Sequence, residues 1–168
     1  EGRGWEFGFK SLSADRRIGA TLSAYEIEKL NIGQTNPDFI LGNGVPQFLG
    51  SGRERARGIE GDTSYKLSDA LTVLAGASYI DARVLASSNA ALRGTRKVLV
   101  PRVTGSFSAR YRFAGALKGL TAGASLRYTG GYVRANPTAT RRYEEAAPKQ
   151  IYAAFLSYGW RSGRLSHT

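Results

Sequence analysis

Alternation with a period of two, repeated in segment after segment, most restricts what this chain can fold into. Between residues 102 and 113, Val103, Gly105, Phe107, Ala109, Tyr111 and Phe113 fall on one side, and Arg102, Thr104, Ser106, Ser108, Arg110 and Arg112 on the other. Successive side chains of a strand point to opposite faces, so the pattern specifies a strand with one apolar and one polar face. Residues 120–129 repeat it, with Leu120, Ala122, Ala124, Leu126 and Tyr128 opposite Thr121, Gly123, Ser125, Arg127 and Thr129. Residues 71–80 do so too, with Leu71, Val73, Ala75, Ala77 and Tyr79 on the apolar side. Weaker copies lie at Trp5–Lys10, Ile18–Tyr25, Ile59–Leu67 and Ile151–Trp160, which makes seven expected strands and an all-β antiparallel meander.

The connections alternate in length. Short turns are expected at Ser11–Asp15, Leu67–Ala70, Ala114–Gly119 and Arg161–Arg164, long ones at Gly33–Arg53, Leu85–Val98 and Arg134–Pro148. Compact soluble domains rarely carry three structureless loops of this length, whereas outer-membrane barrels join strands by short periplasmic turns and long outer loops. In hydrocarbon every backbone polar group must be paired within the protein, so a sheet spans only as a closed barrel, apolar side outward. Aromatics sit at both strand ends: Tyr65, Tyr111, Phe113, Tyr158 and Trp160 beside the short turns, Trp5, Tyr79, Tyr128, Tyr132 and Tyr152 toward the long loops. Two such bands match the interfacial girdles of a membrane barrel. Alternation alone also suits a soluble sandwich or lipocalin-type barrel. Loop rhythm, aromatic bands and arginine opposite the aliphatic side together favour the membrane barrel. Seven strands fall below the minimum of about eight, so this wall does not close by itself.

Composition narrows function. The 168 residues contain no Met, so residue 1 is expected to be a processing product or a cut within a longer chain. No signal peptide or membrane-spanning helix is legible. Zero Cys and the single His167 leave no thiolate site and make zinc binding a poor expectation. The net charge of +11 raises nucleic acid as a partner, but the arginines are scattered at alternate positions rather than in runs, so none is expected. There is no nucleophile elbow, P-loop or dinucleotide fingerprint, and adjacent Glu144 and Glu145 point to opposite strand faces; the chain is not expected to be an enzyme.

Several stretches resemble the C-terminal half of TonB-dependent outer-membrane receptors of the siderophore type. Residues 22–31, LSAYEIEKLN, look like an upward strand ending in a basic residue and Asn; residues 55–61, RARGIEG, resemble the element after a long loop. Residues 75–83, AGASYIDAR, residues 100–102, VPR, and residues 117–130, LKGLTAGASLRYTG, continue the series in order. The element usually containing Pro, Gly and Tyr appears only as residues 147–152, APKQIY. The resemblance implies that 1–168 is an incomplete section of a 22-stranded transmembrane barrel, roughly its fourteenth to twentieth strands, without plug, TonB box or closing strands.

The function so implied is TonB-dependent uptake of a ferric siderophore across the outer membrane of a Gram-negative bacterium. Ferric siderophore is the transported ligand, with no cofactor, and energy comes from the TonB–ExbB–ExbD complex acting through the missing plug. Lumen-facing Arg102 and Arg127 are candidate donors to an anionic, oxygen-rich ligand, with Glu60 either orienting one of them or facing the plug. Loop aromatics Phe39, Phe48, Tyr132 and Tyr143 are candidate packing surfaces. Basic residues Arg93, Arg96, Lys97, Arg134, Arg141 and Arg142 are candidates for lipopolysaccharide phosphates. Two alternatives stand beside this reading: a passive porin or adhesin-type barrel, and a soluble basic β module binding nucleic acid.

Overall fold

A computed structural model describes residues 1–135, 144–162 and 165–167. Seven strands form one antiparallel sheet in sequence order: β1 (Gly2–Leu12), β2 (Ile18–Thr35), β3 (Phe48–Lys66), β4 (Leu71–Ala86), β5 (Val103–Arg112), β6 (Leu120–Thr129) and β9 (Lys149–Tyr158). Between β6 and β9 a small hairpin pairs β7 (Tyr132–Ala135) with β8 (Glu144–Ala146), and after β9 a second pairs β10 (Trp160–Ser162) with β11 (Leu165–His167). The expected turn Arg161–Arg164 includes Gly163 and Arg164, which lie outside the described residues.

Register turns the alternation into rows. One row runs Ser11, Ala20, Thr63, Ala75, Phe107, Leu126 and Tyr152; the next runs Phe9, Leu22, Gly61, Ala77, Gly105, Tyr128 and Gln150; a third runs Phe7, Ala24, Ile59, Tyr79 and Val103. These belong to the aliphatic face. On the opposite face, Lys10, Thr21, Asp62, Gly76, Ser106, Arg127 and Ile151 align, as do Gly8, Ser23, Glu60, Ser78, Thr104, Thr129 and Lys149. Phe107, Leu126 and Arg127 thus stand as the period predicts. The polar face also carries Leu74, Ile151 and Phe155, all exposed.

This wall has no interior of its own. A soluble monomer of this mass exposes about 8,000 Å², whereas the chain exposes 12134 Å². Among the described residues the buried hydrophobics are Val133 and Ala146, both in the loop hairpin, while Phe7, Phe9, Leu22, Ile59, Phe107 and Leu156 stand exposed. Ten residues of β5, at about 3.4 Å each and tilted by about 40°, rise about 26 Å, the height of an apolar barrel band. At the foot, Tyr111 and Phe113 meet edge to face at 4.9 Å and Tyr158 stacks with Trp160 at 6.2 Å.

The short turns lie where composition put them. In the first, the amides of Arg17 and Ile18 donate to the Ser13 hydroxyl, and the Ser13 hydroxyl and the Arg17 amide together hold the Asp15 carboxyl below its ordinary range. The first long connection is shorter than expected. β2 runs on to Thr35 and β3 begins at Phe48, so the stretch expected as loop from Gly33 to Arg53 shrinks to residues 36–47. Beyond the apolar band both faces of a strand meet polar surroundings, so hydrogen-bonded pairing continues after the alternation that advertises it has ended.

Candidate functional site

The polar face is the candidate ligand-facing wall. Small residues line it because neighbouring side chains lie flat across them. Tyr25 covers Gly58, where a Cβ would stand 2.7 Å from the tyrosine oxygen. Asp62 covers Gly76 and the Phe155 ring covers Gly123 in the same way. The Ser78 and Thr104 hydroxyls meet at 2.8 Å. The result is a hydroxyl-rich surface with three open concavities, of about 610, 330 and 570 Å³.

Arg127 and Glu60 come together here. Both line the 330 Å³ concavity, with Asp62, Ser78, Thr104 and Ser106; Arg127 also lines the 610 Å³ one with Lys10, Thr21 and Asp62. Glu60 accepts a hydrogen bond from the Ser23 hydroxyl at 3.3 Å. Lys10 and Asp62, on Arg127's own row, were missed as site residues although counting by twos along β1 and β3 places both on this face. The wall therefore offers cations, carboxylates and hydroxyls to an oxygen-rich ligand.

Arg102 lines none of these concavities. Its Nη2 lies 3.9 Å from Asp81 Oδ1, and Asp81 continues the aliphatic face in the row Trp5, Glu26, Arg57, Asp81. Arg102 precedes β5 and follows Pro101, and its carbonyl accepts from the Ile80 amide at 2.8 Å, one step beyond the pair Tyr79 and Val103. Phe39 is half-buried in the loop 36–47, Phe48 opens β3 opposite Thr35, and Tyr132 opens β7 opposite Ala146. None of the three lines the concavities above. Tyr143 lies outside the described residues, as do Arg141 and Arg142.

The loop cations are already engaged. Arg96 pairs with Glu145 at 2.9 Å, Arg134 with Glu144 at 3.6 Å, Lys97 with Glu54, and Arg93 Nε donates to the Ser87 carbonyl at 2.8 Å. Adjacent Glu144 and Glu145 thus serve two different arginines. Arginine is not confined to the polar face either: Arg3, Arg55 and Arg83 form a row of the aliphatic face, above Trp5.

The sequence matches the family described as TonB dependent receptor-like, beta-barrel, over residues 1–166. The chain belongs to the TonB-dependent receptors. It is 37% identical over 131 residues to the metal-pseudopaline receptor CntO of Pseudomonas aeruginosa, covering 77% of this chain and 18% of the relative. It is 32% identical over 131 residues to the ferrichrome outer membrane transporter/phage receptor of Escherichia coli, covering 77% of this chain and 17% of that protein. Among solved structures, the ferric preacinetobactin receptor BauA of Acinetobacter baumannii superposes with a TM-score of 0.79 at 20% identity, covering 96% of this chain and 23% of that one. The chain therefore spans under a quarter of each of these proteins. This family is one of outer-membrane receptors and transporters rather than enzymes, and the seven-stranded wall is a section of such a barrel in a Gram-negative outer membrane. Among the described residues no helix is long and apolar enough to cross a membrane.

Proposed function

We propose that this chain forms part of the barrel wall of a receptor that imports a ferric siderophore, drawn through a lumen whose side is the polar face. One observation supports the reading above others: Arg127, Glu60 and Asp62 gather on one open concavity among hydroxyl side chains, a surface suited to an anionic metal chelate rich in oxygen acceptors. The names of relatives that receive metal-pseudopaline and ferrichrome point to the same substrate class. In this reading the TonB–ExbB–ExbD complex supplies energy through a plug domain seated against the hydroxyl-rich wall, and the wall binds and guides without catalysis. The test is uptake by the full-length receptor of a panel of ferric siderophores carrying radioactive iron. Arg127→Ala is expected to lower uptake on the order of 10-fold, the scale of losing one charge-assisted contact, with normal assembly. Arg102→Ala is expected to leave uptake unchanged. Equal uptake by wild type and Arg127→Ala would remove this wall from the transport path.

A further inference from the structure

We propose that the lumenal face of β4, β5, β6 and β9 carries an anion-accepting trough that descends from Arg127 to Arg110, with Arg110 a second station for a negatively charged solute near the foot of the wall. The trough rests on charge and shape alone. The import reading enters only in naming the traveller, an anionic metal chelate, and the test needs no transport.

Charge is divided along the chain. Residues 1–81 carry 9 Lys plus Arg and 11 Asp plus Glu, whereas residues 82–168 carry 15 and 2, so the whole positive excess belongs to the second half. The two acids of that half, Glu144 and Glu145, pair at the outer hairpin with Arg134 and Arg96. No carboxylate side chain therefore occurs on β5, β6 or β9. Register places Lys149, Arg127, Arg110 and Arg112 of these three strands on the lumenal face, in that order from mouth to foot. All four are exposed. Arg112 Nη2 donates to the Asp69 carbonyl at 3.0 Å. Among the described residues the side chains of Arg110, Arg127 and Lys149 have no hydrogen-bonded or ion-paired partner.

Shape joins the cations. The 330 and 610 Å³ concavities share Asp62, Ser106 and Arg127, and the 610 and 570 Å³ concavities share Leu74, Ser108 and Ser125, so the three are successive reaches of one trough. Three steps of two residues separate the row of Thr104 from the row of Arg110, a descent of about 15 Å at about 5 Å a step on a tilted strand. Ser106, Ser108 and Ser125 form its floor, with side chains too short to bridge it.

The sign of the lining changes on the way down. The upper reach sets Glu60 and Asp62 against Arg127, the middle sets Asp62 against Lys10 and Arg127, and the lowest has Arg110 with no carboxylate, beside Leu74 and Phe155. The formal charge thus passes from negative to positive between mouth and foot, and a concave wall with apolar sides focuses that field. A cation moving inward meets a rising barrier and an anion a falling one. A seated plug carboxylate would need one partner, whereas the cations from Lys149 to Arg112 are strung over about 20 Å of height, which fits a charge that moves. Guanidinium forks among hydroxyls suit the oxygens of a carboxylate or a similar anion.

The experiment introduces Ser108→Cys, between the rows of Arg127 and Arg110, into the full-length receptor in cells carrying TonB–ExbB–ExbD. Labelling rates are measured with a negatively charged sulfonatoethyl and a positively charged trimethylammonioethyl methanethiosulfonate, each divided by its rate with 2-mercaptoethanol. These 168 residues hold no native Cys, and the receptor without the substitution is the blank. A cation beside the thiol speeds both reagents alike through the thiolate, so the ratio of the two rates reports the local field. The anionic reagent is expected to be favoured on the order of 10-fold, the effect of a potential of about one kT on reagents two charges apart. Adding Arg110→Gln and Arg127→Gln is expected to bring the ratio within about 2-fold of one, whereas Arg110→Lys with Arg127→Lys keeps it, since charge sets the field. Ser23→Cys, on the same face where the native hydroxyl meets Glu60 at 3.3 Å, is expected to favour the cationic reagent. Heat-modifiable mobility checks assembly, and should the double Gln variant fail to assemble, Arg110→Gln alone is expected to lower the ratio about 3-fold. Labelling of Ser108→Cys by neither reagent, equal rates, a ratio untouched by Arg110→Gln, or the same preference at Ser23→Cys would overturn the proposal. An anionic preference at Ser108→Cys together with unchanged uptake by Arg127→Ala would support the trough and remove the import reading.

Discussion

At the scale of residues, glycines that face the lumen behave differently according to what covers them. At Gly58 an added Cβ would stand 2.6 Å from the Tyr79 carbonyl oxygen and 2.7 Å from the Tyr25 oxygen, so backbone as well as ring must give. At Gly123 the obstacle is the half-exposed Phe155 ring, free to swing into the open lumen. Gly58→Ala is therefore expected to destabilise the assembled full-length barrel by about 1–3 kcal/mol, the cost of forcing volume into a fitted site, and Gly123→Ala by less. Urea midpoints of the two variants check the order; a larger loss at Gly123 would contradict it. Sequence alone does not tell what lies upon either glycine, because that depends on register between strands. Arg102 is the parallel case. Its residue type was legible as a cation held for a partner, but its approach to Asp81 at 3.9 Å is a contact that no periodicity encodes.

At the scale of elements, alternation located all seven wall strands and their short turns, because a strand crossing hydrocarbon must separate apolar from polar at every step. It failed above the band. The segment Tyr25–Thr35 puts Glu26 and Glu28 on the aliphatic side, so its pattern reads as broken although its hydrogen bonds to β3 continue, past a bulge where Asn31 takes a φ of 54°. The loop 36–47 was legible as a loop, but its internal order was not. Asn36 is buried there, its Nδ2 donating to the Pro46 carbonyl at 2.9 Å and its Oδ1 accepting from the Asp38 amide at 3.1 Å. Asn43 repeats the device, with Nδ2 donating to the Asp38 carbonyl at 2.9 Å. Asn36→Ala would strand a carbonyl and an amide, at about 1–3 kcal/mol for the loop and nothing for the barrel. Limited proteolysis of the full-length receptor is expected to cut the variant faster near Gly42–Gly44, with barrel mobility unchanged. Equal cutting rates would show that the loop is held by something other than Asn36.

At the scale of the whole molecule, the wall is stable only in company. Its two lateral edges, β1 and β9, each pair on one side alone, which leaves rows of backbone donors and acceptors unmet. Its aliphatic face has no protein cover, and its polar face has none of the partners that Arg127 and Lys10 would find across a lumen. What its edges and faces lack belongs to neighbours: further strands for the edges, acyl chains for the aliphatic face, a plug or water for the polar face. Long-range pairing with no local core to nucleate it is also slow to form and exposed to aggregation on the way. Expressed by itself, the 168-residue chain is expected to pair edge to edge into sedimenting oligomers, and in detergent to show no heat-modifiable band, whereas the full-length receptor shows one. Analytical ultracentrifugation of the isolated chain decides the matter. A monomer with a cooperative unfolding transition would mean that the sheet bends its aliphatic face inward upon itself, and then the lumenal role of Arg127 could not stand.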